Sequence, residues 1–183
     1  MTKNETIEGM ETLQINTPAV WKRMASWTYE GILLFGVVYL TDYVFSAITQ
    51  TRHALDNRHA QQLVIFAVLG AYFVWQWTRS GQTLPMKTWH IRVIDARTGK
   101  LPSLGRAFWR YVLCWLWLLP PLALAQTIGM GTLTSLSTLM VWVAAWAGQS
   151  HMNRNKQFLH DIWAGTALQT HILPTPAKRK SHP

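Results

Sequence analysis

Four apolar stretches separated by polar segments organise the chain. They cover about residues 20–48, 63–78, 107–128 and 132–148. About 20 apolar residues cross the hydrocarbon core of a bilayer as a helix, because a helix satisfies its own backbone polar groups without water. The pattern therefore predicts an all-α integral membrane protein with four transmembrane helices.

The polar segments predict two smaller elements. Residues 89–103 place Ile91 and Val93 in a strand-like alternation, and residues 95–100 have turn chemistry. We expect a small cytoplasmic β-hairpin here, between helices 2 and 3. Residues 153–168 are basic and amphipathic, with apolar positions at helical spacing. They predict a short C-terminal interfacial helix.

Two consecutive prolines interrupt the third apolar stretch. Pro120 and Pro121 should kink the helix and free the carbonyl groups of Leu116 and Trp117. Freed carbonyls can line a site, but a neighbouring helix satisfies them more often. We therefore favour a packing role for this kink.

The charge distribution decides between two classes of partner. The net charge of +9 and the pI near 10.1 are typical of proteins that bind nucleic acid. Here the basic residues lie in loops beside the apolar stretches, and residues 79–110 contain seven Lys or Arg and a single acid, Asp95. This positive-inside pattern argues against a nucleic-acid partner and places the loop in the cytoplasm. With four spans, both termini are expected to be cytoplasmic.

Three regions follow from composition. Residues 1–17 predict a flexible acidic tail without the apolar core of a signal peptide, and residues 18–173 form the membrane domain. Residues 174–183 predict a disordered basic tail. Three residues in that tail are expected to contact anionic membrane lipids: Lys178, Arg179 and Lys180.

Glu30 is the one acid that we place within the bilayer. Arg23 lies seven residues earlier, so the two side chains share a helix face and lie about 10 Å apart along the axis. A carboxylate at that depth is costly and should find a partner inside the bundle. Two interpretations stay open. Glu30 is either a structural contact that fixes helix 1, or a group that carries a proton or binds a cation during transport.

Three sequence blocks together resemble the RDD family of membrane proteins, named for one Arg and two Asp. The blocks are residues 21–30, residues 75–103 followed by Arg110, and residues 159–168. The resemblance implies a multi-pass protein of the bacterial inner (cytoplasmic) membrane.

The resemblance also assigns individual positions. Arg23 stands at the family's Arg and Asp161 at its C-terminal Asp, whereas Glu30 stands where Asp is usual. Pro85 stands where Gly is usual, so a positive φ there is not available.

We expect these charged residues to form a polar network at the base of helix 1. Asp161 should pair with Arg23, Arg106 or Arg110. A catalytic or metal role for His160 with Asp161 is disfavoured, because adjacent residues on a helix do not face each other. The predicted network comprises Arg23, Glu30, Arg110, His160 and Asp161.

Motifs for enzymatic chemistry are absent from the sequence. It contains no phosphate loop, no metalloprotease HExxH and no nucleophile elbow. We therefore predict no enzymatic activity, no catalytic residue, no metal and no cofactor.

Two functions remain as hypotheses. The first is transport of ions or small solutes, with Glu30 as the intramembrane polar centre and a homo-oligomer supplying a wide enough pathway. The alternative is a non-enzymatic assembly or regulatory factor that binds a partner membrane protein or anionic lipid.

Overall fold

The computed structural model describes residues 16–49, 58–153 and 156–171 of the chain. A 3-10 turn, Trp115–Trp117, joins α4 to α5. In chain order the elements are α1 (Val20–Thr49), α2 (Arg58–Arg79), α3 (Leu84–Thr88), β1 (Ile91–Asp95), α4 (Leu104–Cys114), α5 (Leu119–Ile128), α6 (Thr132–Gln149), α7 (Leu159–Trp163) and β2 (Thr166–Thr170).

Three helical segments in the described part of the chain are long and apolar enough to cross a membrane. They are Val20–Thr49, His59–Thr88 and Leu104–Ile128. The fourth apolar stretch forms the helix α6 at the predicted position, but α6 does not meet the same criterion of length and hydropathy. Several apolar helices are therefore present, and three of them are candidate spans.

The predicted kink in the third apolar stretch is confirmed. The helix breaks into α4, the 3-10 turn and α5, and α5 has proline in its first turn. The carbonyl oxygen of Leu116 accepts a hydrogen bond of 3.1 Å from Nε1 of Trp142 on α6. A neighbouring helix therefore satisfies this carbonyl, as the packing interpretation expects.

The predicted β-hairpin between helices 2 and 3 is wrong. β1 pairs antiparallel with β2 from the C-terminal part of the chain, with Ile91 opposite Thr170 and Asp95 opposite Thr166. The turn after β1 does form, but only residues 101–103 separate it from α4. Since one of these three is a proline, which cannot donate to a ladder, no returning strand fits there.

The predicted C-terminal helix is shorter than expected. The helix α7 has five residues, and Gly165 follows it with a φ of +66°. A left-handed glycine at this position ends a helix, and the chain continues as β2. The predicted helix extends to residue 168 and so includes the start of β2, because a short apolar run fits both a helix and a strand.

The best-buried side chains do not lie in the middle of the long helices. Ile91, Val93, Thr166 and Asp161 are each less than 2% exposed. They belong to a compact region that we call the base, formed by α3, β1, α7 and β2 with the adjoining parts of α1, α2 and α4. The base therefore contains the most enclosed part of the core.

The helices α2 and α4 pack closely above the base. A Cβ added to Gly70 would lie 3.0 Å from Cε1 of Tyr111, so glycine permits the close approach of the Tyr111 ring. The hydroxyl of Tyr111 donates a 2.7 Å hydrogen bond to the carbonyl of Phe66. These two contacts hold the ring of Tyr111 between α2 and α4.

Candidate functional site

The fully buried residues of the first helix are polar. The buried residues of α1 are Arg23, Ser26 and Glu30, whose spacing of three and four places them on one face. The large apolar side chains on the rest of α1 are mostly exposed. The fully buried positions of α1 therefore form a polar stripe, beside which partly buried apolar residues such as Met24 and Leu34 pack against the core.

Glu30 connects three elements. Its Oε1 accepts a 2.8 Å hydrogen bond from the hydroxyl of Tyr72 on α2, and its Oε2 accepts one from the hydroxyl of Thr83. Thr83 is also the N-cap of α3, where its Oγ1 accepts from the backbone N of Met86 at 3.4 Å. Hydroxyl groups, and not Arg23, are thus the hydrogen-bond partners of Glu30.

These partners of Glu30 were missed in the sequence. Thr83 carries a signal that could have found it, because a Thr two residues before Pro85 predicts an N-cap with proline in the first turn. Pro85 lies inside α3, where its fixed φ suits the helix, so no positive φ is needed at this position. Tyr72 carries no such signal.

Asp161 pairs with Arg110, one of the three predicted candidates. Nη1 of Arg110 lies 2.5 Å from Oδ1 of Asp161, and both side chains are buried. The Arg110 guanidinium also lies over the ring of Trp77, 4.6 Å from its centroid. This ion pair joins α7 to α4.

His160 is buried beside this ion pair as a neutral imidazole. Nε1 of Trp117 donates a 3.0 Å hydrogen bond to its Nδ1, so that nitrogen carries no proton. Nε2 lies 3.4 Å from Oδ1 of Asp161. The expectation that these adjacent side chains do not face each other is therefore wrong in this short helix. Burial lowers the pKa of His160 to about 4; the Asp161 carboxylate opposes this shift, and the charges of Arg110 and Arg23 add to it.

Arg106, the second candidate partner of Asp161, pairs with Asp95 instead. The carboxylate of Asp95 also accepts hydrogen bonds from the backbone N of Arg97 at 2.9 Å and of Thr98 at 3.2 Å. Desolvation acts to raise the pKa of Asp95, but these amides and the Arg106 guanidinium hold it below its usual value. The Asp-initiated turn was visible in the sequence, but the ion pair was not.

Arg23, the third candidate, is buried without a hydrogen-bonding partner. Its guanidinium lies over the ring of Phe158, 4.2 Å from the centroid. None of its three nitrogens has a hydrogen-bond partner among the described residues. The carboxylate of Asp161 attracts it through space. Arg23 therefore brings a buried positive charge and unused donors to the site.

A cavity of about 700 Å³ joins the two ends of this polar stripe. Arg23, Glu30, Arg110 and His160 line it, whereas Asp161 is not among its lining residues. Its remaining wall is mostly apolar and comes chiefly from α1, α2 and the segment from α4 to the 3-10 turn; it includes Trp27, Leu34, Phe35, Leu69 and Phe73. The structure thus brings four of the five predicted network residues to one cavity.

Two further predictions concern metal binding and lipid contact. In the described part of the chain, no three His, Cys, Asp or Glu side chains come together in a way that could hold a metal ion. The predicted lipid-contacting residues Lys178, Arg179 and Lys180 lie outside the described residues.

A family model matches most of the chain. The model of the RDD family covers residues 17–165. The chain belongs to the RDD family. Membership in the RDD family confirms the resemblance seen in the three sequence blocks and, together with the apolar helices, identifies a membrane protein. Searches of the curated proteins and of the solved structures found no match.

Proposed function

We propose that this RDD-family protein is a multi-pass protein of the bacterial inner membrane that transports ions or small solutes. The observation that carries the proposal is the cavity, in which a buried carboxyl group, Glu30, lies among apolar helices. Ionisable groups within a membrane domain commonly mark a transport pathway.

The surroundings of Glu30 suit a group that changes its protonation state. Tyr72 and Thr83 each present a hydroxyl to one carboxyl oxygen. A hydroxyl can donate to a carboxylate or accept from a carboxylic acid, so both forms of Glu30 can be hydrogen-bonded without moving the helices. Proton exchange at Glu30 would then couple to movement of an ion or solute through the cavity.

The experiment measures proton-coupled flux of ions or small solutes into vesicles reconstituted with the full chain. Glu30→Gln keeps the shape of the side chain and its capacity for two hydrogen bonds, but it cannot ionise. We expect this variant to fold and to lose proton-coupled flux. Asp42→Asn is the matched control, since it removes a carboxyl group from the same helix at a residue outside the cavity lining; it should retain flux. Undiminished flux in Glu30→Gln would contradict the proposal.

The proposed topology has four spans, with α6 as the fourth and both termini in the cytoplasm. A reporter fused near Asp56 should be external and one at the C-terminus cytoplasmic. A cytoplasmic reporter near Asp56 would exclude this topology. Because four helices enclose only a narrow pathway, transport is proposed to need a homo-oligomer, which crosslinking in native membranes tests.

One observation favours the alternative, a non-enzymatic assembly or regulatory factor. The outer part of α1, residues 31–49, presents large side chains that the fold does not cover: Ile32, Phe35, Tyr39 and Tyr43 are 65–74% exposed. Such a face could contact a membrane-protein partner or anionic lipid. Under this alternative Glu30→Gln leaves activity intact, and purification in native lipid yields a stoichiometric protein partner.

A further inference from the structure

The cavity lining contains several buried hydrogen-bond donors that have no partner among the described residues. The side-chain nitrogens of Arg23, Nε of Arg110, and Nε1 of Trp77 and Trp115 are buried and have no partner among the described residues. All four of these side chains line the cavity. Both oxygens of Glu30, the acidic side chain in the lining, are already hydrogen-bonded. One nearby acceptor without a partner, Oδ2 of Asp161, belongs to a residue outside the lining.

Buried donors without acceptors favour a negatively charged ligand. A buried donor without a partner is costly, and the cost is greatest for a charged group such as a guanidinium. An anion placed at Arg23 would supply the missing acceptors. Glu30 lies about 10 Å further along α1, so it does not compete for the same position.

The length and the apolar wall of the cavity favour an elongated, largely apolar ligand. Lining residues on α1 extend from Arg23 to Phe35, a distance of about 18 Å along the helix axis. Between these ends the wall is mostly apolar and includes Trp27, Leu34 and Phe73. A volume of about 700 Å³ suits one extended small molecule with a polar head and an apolar body.

We propose that the cavity binds a long-chain carboxylate, with its head group on the guanidinium of Arg23 and its chain along the wall between α1 and α4. The planar guanidinium offers two parallel donors that match the two oxygens of a carboxylate. The ligand class deepens the proposed function, because it rests on the same cavity as the transport pathway.

The test measures binding of radiolabelled palmitate to the full chain in nanodiscs of phosphatidylcholine. We expect saturable binding of one palmitate per chain, with unlabelled palmitate as an effective competitor. Methyl palmitate, which has the same chain without a charge, and acetate, which has the charge without a chain, should compete poorly. Equal competition by the ester, or tight binding of acetate, would overturn the proposal.

Two variants separate the head-group site from the chain site. Arg23→Gln should weaken binding by about tenfold to a hundredfold, as expected for loss of a charge-assisted hydrogen bond. Lys22→Gln is its control, because it removes the same charge from a residue outside the cavity lining. Unchanged affinity in Arg23→Gln would overturn the assignment of the head group.

A second pair of variants tests the proposal even if Arg23→Gln does not fold. Gly31 lines the cavity, and a Cβ added there meets nothing within 4 Å. Gly31→Leu should therefore fill the chain site and reduce palmitate binding at least tenfold while leaving Arg23 in place. Gly36→Leu is the control, since Gly36 has equal space and lies outside the lining. Full binding by Gly31→Leu would contradict the proposed path of the chain.

Binding and flux can fail separately. Specific palmitate binding without any proton-coupled flux would reject the proposed transport and keep the ligand site. Flux that needs Glu30, with no palmitate binding, would reject the ligand site and keep transport. Lysophospholipid displacing palmitate at lower concentration than palmitate itself would also reject a carboxylate as the preferred head group.

Discussion

The base and the long helices differ in which side chains they bury and which they leave exposed. In the base, charged and hydroxylated side chains such as Asp161 and Thr83 are fully buried beside Ile91 and Val93. In the outer part of α1, large apolar side chains such as Phe35 are mostly exposed. In water this arrangement would be costly, but lipid is as apolar as these side chains and gives little drive to bury them. Exposed apolar side chains therefore mark the long helices, whereas the base buries paired polar groups together with apolar ones.

The largest expected effect comes from breaking the ion pair in the base. Asp161→Ala should lower the free energy of unfolding by about 3–5 kcal/mol, because it leaves the buried Arg110 unpaired. Denaturant titration in detergent micelles measures this. Reversing both charges, Asp161→Arg with Arg110→Asp, should restore part of the loss. Equal restoration by Arg106→Asp would contradict the pairing in the structure.

The same substitution in the two regions tests the comparison directly. Ile91→Ala in β1 should cost about 2–5 kcal/mol of unfolding free energy, because the side chain is buried and leaves a cavity. Ile32→Ala on α1 removes the same atoms from a side chain that is largely exposed, so it should change the free energy by less than about 0.5 kcal/mol. Similar losses for both variants would show that the outer part of α1 is packed against something.

A glycine substitution tests how tightly the base is packed. Gly81 follows α2 with a φ of +73°, and an added Cβ would lie 2.8 Å from the carbonyl oxygen of Val93. Gly81→Ala should cost about 2 kcal/mol or more, because conformational strain and the contact with β1 add. Gly129→Ala is the control with a similar φ of +67° and nothing nearby, so strain alone should cost about 1 kcal/mol. The difference in midpoint of thermal unfolding between the two variants measures the contact, and no difference would argue against close packing of Gly81 on β1.

A pH dependence of stability is expected from His160 in the base. The pKa of His160 is about 4 in the folded protein, below its ordinary value of 6.5. Between these values the unfolded chain binds more protons, so stability is complete above pH 6.5 and falls as pH decreases towards 4. The slope cannot exceed about 1.4 kcal/mol per pH unit for one group.

Unfolding at pH 7 and pH 5 measures this dependence. His160→Gln keeps an acceptor for Nε1 of Trp117 and does not titrate, so its stability should vary less over this interval. An unchanged slope in that variant would assign the pH dependence to other groups.

The helices and the charged positions could be predicted from the sequence, because they depend on residues that are close together in the chain. Apolar length set the positions of α1, α2 and α6, and two prolines set the break between α4 and α5. Spacing alone placed Arg23 and Glu30 on one helix face, and both are buried. Family resemblance added Asp161, which the structure places beside Arg110.

Pairing between distant parts of the chain was decided only by the tertiary structure. β1 could not choose its partner from its own sequence, because the residues that cover it come from β2, more than 70 positions later by register. Three Arg residues were equally plausible partners for Asp161, and the packing of α4 on α7 selected Arg110. The sequence by itself determined which segments suit lipid and which charges must be satisfied. Tertiary packing decided which charges meet: it paired Asp161 with Arg110 and left Arg23 lining the cavity without a hydrogen-bond partner among the described residues.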